Sequence, residues 1–326
     1  MSRQIKLKKL VIPSPQLPPP INLDDKFVIQ FTEDEKPIEV EAINLKTVEL
    51  LGKGAYGVVE KMQDTVSGAV FAVKRIKSTE NDITHKQMLI ELNACKLSGG
   101  CSEMVRFYGA MFREGDVWIC MEVMDISMDK FYPKVFQEGN RMPESFVGKV
   151  ALSVVTGLHF MKEKMNLMHR DVKPSNILLS KNGSIKLCDY GISGNLTNSV
   201  AKTIQAGCKP YMAPERIQGD TREAYDVRSD VWSLGITLIE ISTGKHPYSS
   251  WKTPFDQLKQ VVYESPPSLP MDIGYSSECS IFIKKCLARD HQQRPKYPEL
   301  LALEWLKKIK ILDFDIAVFI TTNIRD

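Results

Sequence analysis

His169-Arg170-Asp171-Val172-Lys173-Pro174-Ser175-Asn176, followed by Asp189-Tyr190-Gly191 and Ala213-Pro214-Glu215, is the stretch on which the reading of this chain turns. Each residue type suits one task in moving a phosphoryl group. Asp171 can accept the proton of an incoming hydroxyl, Lys173 can balance charge on the moving group, and Asn176 and Asp189 offer the oxygen ligands that Mg²⁺ prefers. Taken singly, each has a plainer role open to it, His169 as a packed core histidine and Asp189 as a turn former. Together and in this order, they point to phosphoryl-transfer chemistry.

Upstream, Leu51 leads into Gly52-Lys53-Gly54-Ala55-Tyr56-Gly57, and Val58-Val59 follows. Glycines let backbone N–H groups approach phosphates closely, because no Cβ stands in the way. A dinucleotide-binding turn has the same glycine spacing but must open a helix. The β-branched Val58 and Val59 favour a strand instead. Phe71-Ala72-Val73-Lys74-Arg75-Ile76 then sets a lysine inside an apolar strand, where an ammonium is costly unless anions compensate it. ATP phosphates and a carboxylate are the natural candidates, and Glu91, among Leu89, Ile90 and Leu92 on a predicted helix, would supply the carboxylate.

Bulk properties narrow the class further. A chain of 326 residues exceeds the size at which one core usually stops growing, so two lobes are expected. The net charge of +3 is too small to argue for nucleic acid as a partner. Seven cysteines without a C-x-x-C pair suggest a reducing compartment, and no apolar run is long enough to span a membrane. The expected location is cytoplasmic, with the nucleus also open.

Periodicity divides the chain. Residues 1–43 mix lysines, a proline cluster and an acidic patch, and read as a flexible tail. Short β-rich runs at 47–51, 57–62, 70–76, 105–112 and 116–121, with one helix around 86–92, read as a small lobe over 44–124. Helical spacing dominates a larger lobe over 125–306, with helices expected at 146–161, 229–243, 254–262, 277–287 and 297–306. Residues 307–326 remain as a C-terminal extension.

On these motifs the chain resembles the eukaryotic protein kinases over residues 45 to about 306. Within that family it is similar to the dual-specificity MAP kinase kinases of the stress-activated branch, through Gly191-Ile192-Ser193-Gly194, Ser199-Val200-Ala201-Lys202-Thr203 and the run from Ala206 to Arg216. The resemblance implies an α+β fold of two lobes, a small β-rich one with one main helix and a larger helical one. It implies ATP and Mg²⁺ as cofactors, and transfer of the γ-phosphate to Thr and Tyr in the activation loop of a MAP kinase. Tyrosine phosphorylation rests on the family alone. By the same resemblance Met121 borders the adenine pocket, Met124 offers a hinge backbone contact, and Arg294 pairs with Glu215. Ser199 and Thr203 are then the residues phosphorylated by an upstream MAP kinase kinase kinase.

In the tail, Lys6, Lys8, Lys9, Leu10 and Ile12 resemble the docking peptide that holds a substrate MAP kinase, and residues 315–320 weakly resemble a docking site for upstream kinases. Tyr190 stands where Phe is commoner. Cys188, beside Asp189, is open to two readings, a reactive thiol or an inert small hydrophobe. The alternative function is a pseudokinase scaffold that binds a MAP kinase without transferring phosphate.

Overall fold

A computed structural model describes residues 25–31, 34–54, 57–77, 98–189, 211–218, 226–248 and 253–324 of the chain. Of the expected site residues, Lys6, Lys8, Lys9, Leu10, Ile12, Ala55, Tyr56, Glu91, Ser199 and Thr203 lie outside them, as does Tyr190.

The smaller lobe is an antiparallel sheet in the order β3-β4-β5-β7-β6, built from β3 (Leu45–Gly54), β4 (Gly57–Asp64), β5 (Val70–Lys77), β6 (Phe107–Arg113) and β7 (Asp116–Met121). Its alternating side chains divide between two cores. Phe71, Val73, Met111, Trp118 and Cys120 fill the outer face, and Ile76, Val117 and Ile119 pack with Met104 and with Met161 of the larger lobe. Period-two alternation, which can bury both faces of a sheet, assigns each strand residue to one core or the other.

The outer face is closed by a segment that the sequence groups with the tail. Lys26–Ile29 (β1) and Ile38–Glu41 (β2) pair antiparallel, and Ile29 and Val40 are fully buried against the sheet. Each such side chain contributes about 1.5–3 kcal/mol by leaving water. Two four-residue strands flanked by acidic and proline-rich sequence carry too few alternations for the pattern to show, but the sheet beneath supplies the missing partner. Gly109 makes the close approach possible, since a Cβ there would lie 2.3 Å from the Phe27 ring. That ring stacks edge-on against Phe71 at 5.8 Å.

The larger lobe surrounds α1 (Met128–Gln137), α2 (Glu144–Met165) and α4 (Arg228–Thr243), with α3 (Pro214–Gln218) ahead of α4. Every residue of α4 from Ser229 to Ser242 is buried, so it is the core around which the other helices pack. Beyond it come α5 (Pro254–Tyr263), α6 (Ser277–Cys286), α7 (Tyr297–Leu301), α8 (Glu304–Ile311) and α9 (Ile316–Asn323). The single helix expected over 297–306 is in fact two. Leu303 has extended backbone, φ −68° and ψ 144°, and the bend lets both Leu300 and Trp305 turn inward. Trp305 Nε1 then donates to Glu144 at 2.8 Å. The C-terminal extension docks through α9, with Ile320 buried and Phe319 packed on Phe131 and Phe146. A small sheet, β8 (Ile126–Ser127), β9 (Ile177–Leu179) and β10 (Ile185–Leu187), lies below the junction of the lobes. No helix among the described residues is long and apolar enough to cross a membrane.

Gly109→Ala should destabilise the protein by about 1–3 kcal/mol in urea titration, because the added methyl overpacks against Phe27. Adding Phe27→Ala should make the pair less costly than the sum of the two single changes; strict additivity would mean that the two positions do not share space in solution.

Candidate active site

Lys74 owes its place to the period of β5. Val73 and Arg75 turn to the outer face, where the Arg75 guanidinium lies 4.3 Å over Trp118, and Lys74 turns inward opposite Ile119. It is 4% exposed, and its Nζ lies 2.8 Å from Asp189 Oδ1. The carboxylate that the described residues give this lysine is therefore the candidate metal ligand. Desolvation by the surrounding protein works against the charge on Asp189, but the Lys74 ammonium, with His169 and Lys173 behind it, holds the carboxyl below its ordinary range. Asp189 is thus anionic at neutral pH.

On the loop between α2 and β9, Asp171 Oδ2 receives Lys173 Nζ at 2.7 Å and Asn176 Nδ2 at 3.0 Å, while the same amide also donates to Asp171 O at 2.7 Å. Asn176 is thereby fixed with its side chain beside the proposed base. Cys188 N donates to Asn176 O at 3.1 Å, which puts the two candidate Mg²⁺ ligands, Asn176 and Asp189, on adjoining backbones. An amide oxygen and a carboxylate oxygen are hard donors of the kind Mg²⁺ takes, so this donor set fits the ion. Met121 ends β7 and Met124, nearly buried, follows at the junction of the lobes.

Leu51, Gly52 and Lys53 lie on β3 across from Val58 and Val59 on β4, and Val59 pairs with Lys74 on β5. This register carries the loop strands directly over the buried ammonium. The absence of a helix after Gly57 removes the dinucleotide reading. Gly57 itself has φ +147°, and a Cβ there would meet Arg75 O at 1.9 Å, so strand packing alone excludes any other residue. A Cβ at Gly52, by contrast, would meet nothing within 4 Å, leaving open space beneath the strand for a ligand.

What holds the loop in shape is a residue at the start of the helix expected over 229–243. Asp230, in the first turn of α4 and 1% exposed, accepts from His169 N at 2.9 Å and from Arg170 N at 2.7 Å. Arg170 has φ 68°, a left-handed conformation that costs a non-glycine residue about 1–3 kcal/mol. His169, fully buried, closes the far side through Nε2 and Cys188 O at 2.9 Å. A carboxylate in the first turn of a mainly apolar helix was the available signal for Asp230. Arg216 Nη1 adds a contact to Arg170 O at 3.0 Å.

Glu215 and Arg294 form the expected pair. It is bidentate, at 2.7 and 2.8 Å, with Ser229 Oγ also donating to Glu215. The Cys188 thiol is pushed well above its ordinary range by burial and then by the nearby charge of Asp189. A thiol kept protonated is a poor nucleophile, so the surroundings favour its inert reading.

The described site thus brings together a buried cation, two acceptor carboxylates and an amide near the junction of the lobes. Comparison with known proteins gives the family. The protein kinase domain profile matches residues 45–306. The dual specificity mitogen-activated protein kinase kinase sek-1 of Caenorhabditis elegans is 61% identical over 308 residues, covering 94% of this chain and 92% of that protein. MAP kinase kinase mkk-4 of the same organism is 45% identical, covering 86% and 78%. The human dual specificity mitogen-activated protein kinase kinase 7 is 42% identical, covering 86% and 66%.

Lys74→Met should reduce phosphoryl transfer about 10²-fold or more, the scale on which one preorganised charge acts. Stability should hold to within about 1 kcal/mol, because Asp189 is 46% exposed and water can replace its partner. Near-normal turnover of the purified variant would remove Lys74 from the mechanism.

Proposed function

The chain belongs to the protein kinase family, and from that premise we propose that it works as a dual-specificity MAP kinase kinase, passing the γ-phosphate of ATP to Thr and Tyr of a stress-activated MAP kinase. The observation that carries this is the pairing of Lys74 with Asp189 and of Asp171 with Lys173 and Asn176, the two groups joined by the backbone bond from Cys188 to Asn176. The charges a pseudokinase scaffold would be expected to lack are in place.

The residues divide the work. Lys74 meets the phosphates of ATP, and β3 and β4 cover them from above. Asp189 and Asn176 would hold Mg²⁺, which neutralises charge on the phosphates when bound. Asp171, with its side chain 39% exposed, faces the opening and accepts the proton of the substrate hydroxyl. Lys173, which reaches Asp171 Oδ2, stands where it can offset charge on the group in transit.

Regulation belongs to the same reading. Ser199 and Thr203 sit between Asp189 and Glu215 in sequence, and each phosphate would bring about −1.5 to −2 charges, for which arginines such as Arg170, beside Asp171 in sequence, are natural partners. Shifting a loop from 1:99 to 99:1 takes about 5.5 kcal/mol, against about 1.5–3 kcal/mol for a charge-assisted hydrogen bond. Two phosphates suffice where one falls short. The basic and apolar residues Lys6, Lys8, Lys9, Leu10 and Ile12 suit docking of the MAP kinase in an extended form, which raises its local concentration.

The test is one assay with several arms. Protein treated with an activating upstream kinase is given ATP, Mg²⁺ and a panel of inactive MAP kinases, and mass spectrometry locates the new phosphates. The reading expects phosphate on both Thr and Tyr of one activation loop. It expects only basal transfer when Ser199 and Thr203 are both Ala, and partial recovery when both are Asp. Reversing the charge of Lys6, Lys8 and Lys9 should weaken transfer to the MAP kinase but leave ATP hydrolysis unchanged. Phosphate on Thr alone would remove dual specificity, a fully active double-Ala protein would remove the switch, and equal loss of both activities in the tail variant would remove docking.

A further inference from the structure

Glu122 follows Met121 at the exit of β7, in the strip of backbone that joins the two lobes, and its carboxylate is gripped from both. From the smaller lobe, Arg106 N donates to Glu122 Oε1 at 2.5 Å, while Glu122 N returns a bond to Arg106 O at 2.9 Å. From the larger lobe, Lys186 Nζ reaches Oε1 at 2.6 Å and Oε2 at 2.9 Å. The ion pair is largely sheltered, with the two side chains 14% and 18% exposed, so water screens it weakly. Lys186 lies on β10, three residues before Asp189.

Arg106 reaches outward as well as inward. Its guanidinium donates through Nη1 to Phe31 O and through Nη2 to Gln30 O at 3.2 Å, the carbonyls that follow β1. Tyr108 completes the attachment, lying 5.7 Å under the guanidinium and packing edge-on against Phe31 at 5.2 Å. One side chain therefore fastens the end of the N-terminal hairpin to the residue whose backbone amide holds the interlobe strip. The hairpin gains a physical connection, through Arg106 and Glu122, to Lys186 on β10, the strand that ends two residues before Asp189.

We propose that Arg106 and Lys186 are positioning residues for the nucleotide: acting on Glu122 from opposite lobes, they set the backbone beside Met121 and Met124 against which the base lies, and Arg106 makes the N-terminal hairpin part of that support. The inference rests on the reading of the cleft as an ATP site. It gives the hairpin a task that burial of Ile29 and Val40 alone does not require, and it predicts that a change at Arg106, far in sequence from Met121 and Met124, alters nucleotide affinity.

Full-length Arg106→Met keeps the backbone amide to Glu122 and removes the guanidinium, and Lys186→Met removes the ammonium. Calorimetric titration with ATP and Mg²⁺ should show each variant binding about threefold to tenfold more weakly than the wild type, the range in which remote positioning residues act. The double variant should fall short of the product of the two losses, since both act through Glu122. Hydrogen exchange across residues 25–41 should quicken in Arg106→Met and stay unchanged in Lys186→Met. If Arg106→Met fails to fold, Arg106→Lys, which keeps the charge with fewer donors, should give a loss smaller than that of Lys186→Met. Variants that melt at lower temperature yet bind ATP within twofold of the wild type would overturn the inference and leave these residues purely structural. A wild-type protein that bound no ATP would overturn the nucleotide reading and this inference with it.

Discussion

A single buried carboxylate, that of Asp230, holds the working loop in its shape. Burying it would be costly without partners, but it accepts two backbone N–H groups and the Tyr297 hydroxyl at 3.2 Å, and it lies in the first turn of α4 where the helix dipole favours a negative charge. Hydrogen bonds to a charged group net about 1.5–3 kcal/mol each, so the two amide bonds are enough to offset the left-handed backbone of Arg170. Burial, and then the charge of Asp230, push the Tyr297 phenol well above its ordinary range, which keeps it a donor. The turn at Arg170 is what swings Asp171 out toward the opening, with Lys173 and Asn176 gathered around it. Because α4 is buried along its length, the loop inherits the rigidity of the larger core.

The smaller lobe contributes differently. A sheet with both faces covered has one side for packing on the hairpin and one for the cleft, and a lysine in the inward register of β5 is delivered to the cleft without a loop. Its charge is the means by which the lobes meet at the site, since Asp189 belongs to the larger lobe. The left-handed backbone of Asp189, φ 58°, turns its carboxylate toward that lysine. Each lobe therefore supports one half of an electrostatic arrangement that neither could make alone.

Much of this was legible in the sequence, and the reasons are local. Asp171, Lys173, Asn176 and Asp189 lie close together in the chain, and their chemistry is declared by residue type and spacing. The strands of the sheet and the long helices are long enough for their periods to show. Three features were hidden because their partners are distant or their signal is short. The hairpin at 26–41 has four residues per strand and depends on a sheet that comes later in the chain. The break at Leu303 comes from Leu300 and Trp305 both turning inward, although the apolar pattern runs through it. The grip on Glu122 joins residues 106, 122 and 186, none of which stands out in composition. Asp230 falls between these cases, visible as a charge at the head of a mainly apolar helix yet silent about which amides it would meet.

Asp230→Asn tests most directly whether Asp230 shapes the catalytic loop. Asparagine keeps the volume but offers one oxygen to two amides and turns an NH₂ toward the other. The account predicts that turnover on a MAP kinase at saturating ATP falls about 10²-fold or more, the cost of misplacing a reacting group by about 1 Å, while ATP affinity stays within about threefold of the wild type. Turnover within a few-fold of the wild type would contradict it, because the loop would then hold Asp171 in place without that carboxylate.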